Sequence, residues 1–246
     1  MSPLPDPKQN YLLAALHAED YARLLPALEL TPMPLGWVVY EARAPMDYVY
    51  FPTTCIVSLL YVMENGDSAE IAIIGNDGLV GVSVFMGGDS MSSRAVVQNA
   101  GECYRIEAKL LKQEFDLGGS LQHLALRFTQ TLIAQMVQTG ACNRHHTLEQ
   151  QLCRWLLLSL DRLRGNELVM TQKLMANMLG VLRPGLLEAT GKLQEDGLIR
   201  YGSGRVTVLN RPKLEDRACE CYGVVKNEIE RLFAFDPTAQ AASSAS

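Results

Sequence analysis

Residues 171–209, TQKLMANMLGVLRPGLLEATGKLQEDGLIRYGSGRVTVL, restrict the possible folds more than any other stretch. Leu174, Met178, Leu179, Val181, Leu186, Leu187 and Leu193 recur at helical spacing, which predicts two short amphipathic helices. Gly180 interrupts them where a tight turn would sit. Thr171 suits the N-cap of the first helix, and Pro184 falls where a first helical turn tolerates a missing N–H. After Gly197 the pattern becomes strand, turn, strand, running from Leu198 to Tyr201, through Gly202-Ser203-Gly204, and on from Arg205 to Leu209. Two helices across a sharp turn followed by a hairpin describe a winged helix-turn-helix, whose second helix can enter a DNA major groove. The same order also suits a helical hairpin on a small sheet with a solvated basic face.

Charge weighs towards the first alternative. Residues 171–213 carry seven basic and three acidic side chains in a chain of net charge −5. A basic island in an acidic protein is what phosphate contact by one domain requires. Residues 1–150 are acidic and residues 151–246 slightly basic, a split that argues for two jobs. At 246 residues the chain can hold two modest domains. The start, MSPLPDPKQN, has no basic flank leading into an apolar core, and the longest apolar run, 55–63, contains Ser58 and Tyr61. A soluble, cytoplasmic protein with no membrane contact is expected.

In chain order, residues 9–30 have helical spacing at Leu12, Leu13, Leu16, Tyr21, Leu24 and Leu25, ending at Pro26. Strand-like segments follow at 37–41, 48–51, 56–63, 69–74, 80–85, 95–98 and 103–106. Asn65-Gly66 predicts a two-residue hairpin. Short strands without intervening helices indicate a small antiparallel barrel or sandwich. From Glu107 the period turns helical, with a break near Gly118-Gly119. The next helix carries an apolar stripe, Leu121, Leu124, Phe128, Leu132 and Met136, which is expected to face a second copy as a dimer interface, the alternative being that it packs on the barrel. Residues 140–146, GACNRHH, are read as a hinge, and the tail from Ala239 as disordered.

Six cysteines are scattered without a CxxC pair, as expected of reduced thiols. Cys142, His145 and His146 lack an evident fourth ligand, and Cys219-Glu-Cys221 has an unusual spacing for zinc. A polar junction and buried structural thiols are therefore expected, with no metal and no cofactor.

With barrel, long helix and winged helix-turn-helix in order, the chain resembles the Crp/Fnr family of bacterial transcription regulators over most of residues 30–225. The strongest match is TQKLMANMLGVLRPGLLEATGKLQEDGLI. The resemblance implies an α+β fold with three parts. These are a β-roll sensor domain (1–117), a central dimerisation helix and hinge (118–146), and a winged helix-turn-helix domain (147–246). In the family an arginine near the start of the second helix reads a guanine, and Arg183 falls there. Pro184 stands where the catabolite activator has a base-contacting glutamate, and Glu188 where it has a further arginine. Thr171, Lys173, Lys192, Arg200 and Arg205 complete the implied DNA-binding set, chiefly as phosphate contacts.

Residues 75–95 resemble the family's phosphate-binding cassette. Arg94, between Ser92-Ser93 and Ala95, matches the phosphate-binding arginine, whereas Val82 after Gly81 occupies the position of the ribose-binding glutamate. Loss of that partner costs about 1–3 kcal/mol of binding, so cyclic AMP is not the expected ligand. The first cysteine is Cys55, so the N-terminal iron–sulfur centre of the family's oxygen sensors is not expected either.

The implied function is a homodimeric, sequence-specific DNA-binding regulator. Its implied partners are double-stranded DNA, a second copy, RNA polymerase and a small anionic effector. No GxSxG, P-loop, HExxH or paired-carboxylate frame supports an enzyme. The unusually apolar second helix keeps a second reading open, a ligand-sensing or scaffolding dimer that has lost sequence-specific DNA reading.

Overall fold

The computed structural model describes residues 6–88 and 90–234. Helices α1 (Tyr11–Ala14) and α2 (Ala18–Leu24) precede seven strands. These are β1 (Glu29–Met33), β2 (Val38–Tyr40), β3 (Tyr48–Pro52), β4 (Ile56–Val62), β5 (Ser68–Ile74), β6 (Arg94–Asn99) and β7 (Gly101–Glu107). They form two antiparallel sheets, ordered β1-β7-β3 and β2-β6-β4-β5. After the short α3 (Ala108–Asp116) comes α4 (Ser120–His145), followed by α5 (Leu148–Leu160). The C-terminal part comprises β8 (Glu167–Val169), α6 (Gln172–Leu179), α7 (Arg183–Glu195), β9 (Ile199–Gly202), β10 (Arg205–Val208), α8 (Arg211–Arg217) and α9 (Cys221–Phe233). Among the described residues no helix is long and apolar enough to cross a membrane.

Side-chain alternation along the strands divides the interior into two large cores. Val57, Leu59, Ala72, Ile74, Ala95 and Val97 face inward and pack with Val49, Phe51 and Ile106. The opposite faces of the same strands offer Ile56, Leu60 and Ile73, which pack under Leu152, Trp155 and Leu156 of α5. A strand buried on both faces is apolar at nearly every position, and β4 is buried throughout residues 56–60 for this reason. The helix-turn-helix is thus docked against the sensor's own sheet, and α6 lies beside β5.

The helical stripe on α4 takes the second of its two possible uses. Leu121, Leu124, Phe128 and Leu132 are buried in the chain's own first core, and half-buried Met136 packs against it. These five side chains are covered by their own protomer, which corrects their reading as a dimer interface. Instead Leu126, Ile133 and Val137 are exposed, at 49, 52 and 67% of full accessibility. With exposed Gln130 between them they recur at spacings of four, three and four, the spacing that a coiled-coil seam uses.

Other expectations shift for local reasons. The segment 9–30 is two helices, because His17 is extended as the N-cap of α2 and its N–H donates to the Ser120 hydroxyl. The segment 80–85 makes one bridge, Tyr50 to Val80, then a 3₁₀ turn at Val82–Val84 entered through Gly81 at φ 119°. The β4–β5 turn is longer than two residues. Met63 N–H donates to Asp67 O, Asn65 accepts from the Asp67 N–H, and Gly66 takes φ 87°. Helix α4 runs through Gly140 to His145, so the break before α5 is confined to His146 and Thr147. There Thr147 and Gln150 form a capping box. The tail from Ala239 lies outside the described residues.

Candidate nucleic-acid interface and sensor cassette

The helix-turn-helix is set by the residues its sequence nominates. Thr171 caps α6, its hydroxyl accepting from the Leu174 N–H at 3.2 Å. Gly180 is left-handed at φ 64°, a conformation that costs a residue with a Cβ about 1 kcal/mol or more. Pro184 sits in the first turn of α7, where its absent N–H is one of the helix's unpaired donors anyway. Leu182, the N-cap of α7, gives no side-chain cap, so N–H groups of the first turn have no partner from it.

One face brings the two helix starts and the wing together. Arg183 Nη2 donates to Gln172 Oε1 at 3.4 Å, and the Gln172 N–H donates to the Tyr201 hydroxyl on β9 at 3.1 Å. Strands β9 and β10 meet at Ser203 and Gly204, both at positive φ, the turn that matches hairpin twist. Strand β8 adds a third member in the order β8-β10-β9. The Met170 N–H donates to Gly204 O at 2.7 Å, which ties the wing tip to the start of α6.

Thr171, Lys173, Arg183, Pro184, Glu188, Lys192, Arg200 and Arg205 are all exposed. Their charges are not equally free. Lys192 pairs with Glu188 at 2.8 Å, and Arg205 pairs with Glu167. Lys173, Arg183 and Arg200 have no carboxylate partner among the described residues. The inward face of α7 is built by Leu186, Ala189, Thr190 and Leu193, whereas Leu182 is 83% exposed and Leu187 42%.

The cassette is less open. Val82 and Ser93 are buried, Ala95 is in the core, and Ser92 is exposed. Arg94 is half-buried and faces Glu41, Nε to Oε2 at 3.1 Å. The space beneath is filled by one apolar cluster that includes Leu79, Val82, Phe85, Phe115, Leu124 and Phe128. Phe85 stacks on Phe115 at 4.8 Å, and a Cβ at Gly78 would lie 2.2 Å from the Phe128 ring.

Sequence reasoning missed the junction between sheet and α5. Ser58, Glu70 and Gln98 project from neighbouring strands beneath that helix. Trp155 Nε1 donates to Glu70 Oε1 at 2.7 Å, and the Ser58 hydroxyl lies 2.5 Å from Glu70 Oε2 and 2.6 Å from Gln98 Oε1. Gln98 Nε2 donates in turn to the Ser159 hydroxyl at 3.4 Å. Burial pushes the Glu70 carboxyl up to about 7, against the opposing pull of its hydrogen bonds and of Arg154 and Arg162. Nearby, Arg162 forms a buried ion pair with Asp77 at 2.7 Å. Gln135 of α4 caps the edge strand β5, accepting from the Ile73 N–H at 2.9 Å and donating to Ile73 O at 3.2 Å. A cavity of about 390 Å³ opens beyond this junction, between the end of the roll and the link from α5 to β8, lined by Asn76, Asp161, Arg162, Arg164 and Glu167 among others. The one sequence sign was a polar residue among the apolar positions of each of three strands, Ser58, Glu70 and Gln98.

Comparison with known proteins accords with this geometry. Residues 32–116 match the cyclic nucleotide-binding domain, and residues 150–217 match the Crp-like helix-turn-helix domain. Curated proteins give no match. Among solved structures, the chain is similar to a transcriptional regulator of the Crp/Fnr family from Eubacterium rectale, with a TM-score of 0.66 and 15% identity over 85% of this chain and 98% of that one. It is similar to FixK2 from Bradyrhizobium japonicum, with a TM-score of 0.65 and 15% identity over 78% and 98%. It also resembles the c-di-GMP responsive global regulator CLP of Xanthomonas campestris, with a TM-score of 0.59 and 18% identity over 79% and 100%. At these identities the likeness to the solved structures is one of fold. With a cyclic nucleotide-binding domain followed by a Crp-like helix-turn-helix domain, the chain belongs to the Crp/Fnr family of transcription regulators.

Proposed function

We propose that the protein is a homodimer that binds a two-fold symmetric DNA site through α7 and the wing. The observation that carries this reading is Arg183. It stands exposed at the first position of α7, beside the wing through Gln172 and Tyr201, and has no carboxylate partner among the described residues. An arginine so placed can make the bidentate contact to guanine. Lys173 and Arg200, also without an ion pair among the described residues, would supply phosphate contacts. The second copy would meet the first along Leu126, Gln130, Ile133 and Val137, since the neighbouring stripe is occupied by the sensor core.

The same geometry argues against cyclic AMP as effector. Arg94 faces Glu41, Val82 offers no ribose partner, and the interior is packed. The cavity between the end of the roll and the link from α5 to β8, which carries Asp161, Arg162 and Arg164, is the better place to seek a small effector.

Selection of bound duplexes from a random pool, then titration at two salt concentrations, tests the proposal. A two-fold symmetric site is expected, and Arg183→Ala should weaken it roughly 10- to 100-fold and erase one guanine preference. Ile133→Lys should give a monomer by light scattering. The exposed Leu182 and Leu187 support a second reading, a protein-binding scaffold. A scaffold would enrich no sequence and show no steep salt dependence.

A further inference from the structure

Two segments that the sequence keeps far apart meet at the end of α4. Cys142 and His146 are four residues apart at the last turn and C-cap of that helix, so they share a face. Cys219 lies in the link from α8 to α9 and Cys221 opens α9, which the fold lays beside that turn. One ligand atom from each of the four lies within 4.8 Å of every other. Cys142 Sγ is 3.5 Å from Cys219 Sγ, and Cys221 Sγ is 3.5 Å from His146 Nδ1.

We propose that Cys142, His146, Cys219 and Cys221 form a closed, four-coordinate site for one Zn²⁺ ion. Tetrahedral coordination with bonds of about 2.3 Å to sulfur and 2.0 Å to nitrogen separates the ligand atoms by roughly 3.5–3.8 Å. Two contacts already match that span, and the others need only small side-chain rotations. Three thiolates and an imidazole suit zinc, and a group this tight encloses one ion rather than a cluster of several irons.

The surroundings are those of a ligand set held in place. His146 turns Nδ1 towards the sulfurs while its Nε2 lies 3.2 Å from the Glu220 carboxylate, the carboxylate–histidine arrangement that orients a metal-binding imidazole. Gln138 Nε2 donates to Cys221 Sγ at 2.9 Å, and Gln151 Nε2 donates to His146 O at 2.9 Å. The three cysteines are buried. On α5, Arg154 is buried, its Nη1 donating to the Thr139 hydroxyl at 3.2 Å and its Nε without a hydrogen-bond partner among the described residues. The ion would fasten α9 and its link to the end of α4, directly before the two-residue break that leads to α5.

The test is metal content of the full chain purified under reducing conditions. Zinc released by a mercurial and read with 4-(2-pyridylazo)resorcinol should approach one ion per chain. Cys142→Ser and Cys221→Ser should fall to background, whereas Cys55→Ser and Cys153→Ser, buried elsewhere, should keep the metal. Because a ligand variant can fail to fold, the wild-type chain is also reconstituted with Co²⁺. Thiolate-to-cobalt charge transfer together with the visible bands of tetrahedral cobalt is the expected spectrum. Failure of the wild-type chain to retain either metal after dialysis overturns the proposal. So does full zinc in the Cys142→Ser/Cys221→Ser double variant, or a Cys142–Cys219 disulfide in place of metal under the same conditions.

Discussion

Replacing Glu70 with Gln should make the protein more stable at pH 8 and leave it little changed near pH 4.5. The Ser58 hydroxyl has one proton and two close acceptors, Glu70 Oε2 and Gln98 Oε1. With Gln98 donating through Nε2 to Ser159, the arrangement is complete only if Glu70 is itself protonated and donates to Ser58. A glutamine amide can do the same, while its oxygen still accepts from Trp155. The magnitude follows from the carboxyl being raised by burial from 4.5 to about 7. A folded-state pKa above the unfolded one gives stability that is fully present below about 4.5 and lost as pH rises through 7. Each unit is worth about 1.4 kcal/mol, so the full loss is about 3 kcal/mol. Urea unfolding by circular dichroism, at fixed protein concentration from pH 4.5 to 8, should show variant and wild type diverging across that window. Parallel pH profiles would refute the reasoning, because an ionised Glu70 that costs nothing is incompatible with the burial that raises it.

Asp77→Asn should destabilise the chain by about 3–5 kcal/mol in the same assay, since it leaves the buried Arg162 guanidinium without its counter-charge. Gly78→Ala should cost about 1–3 kcal/mol through collision with Phe128, and Phe128→Leu should recover part of that loss. Ala69→Cys with Gly180→Cys places two Cβ atoms 3.4 Å apart, close to the disulfide range. Its oxidised form is expected to bind the selected DNA site within about threefold of the reduced form, and a larger loss would show that α6 must leave β5.

The winged helix-turn-helix was legible because each of its parts rests on local chemistry. Thr171 caps, Gly180 turns, Pro184 opens α7, and Ser203-Gly204 closes the wing. The roll was legible from short apolar strands, although 80–85 did not read as a turn because Val82 and Val84 hide it and Gly81 alone signals it. The α4 stripe could not be assigned from periodicity. Two apolar stripes run along that helix, and only the fold shows that Leu124 and Phe128 meet the roll while Ile133 and Val137 remain exposed. The cysteine–histidine group was legible only in two pieces, each set aside as a metal site, for a different reason. Its halves lie on segments far apart in the sequence, and only the packing of α9 along α4 brings one to the other.

The way the domains are joined narrows how a signal could reach DNA. Lifting the helix-turn-helix from the sensor sheet would expose Ile56, Leu60, Ile73 and Trp155 to water. It would also strip partners from Glu70 and part Asp77 from Arg162. Each buried polar group left unpaired costs about 1–3 kcal/mol, and breaking a buried ion pair costs more. The sum exceeds the roughly 1–3 kcal/mol by which an effector usually couples to a second site. A protomer built this way moves as one unit. In the proposed dimer the adjustable quantity is then the angle at which two such units meet along Leu126, Ile133 and Val137, and that angle sets the spacing of the two Arg183 side chains.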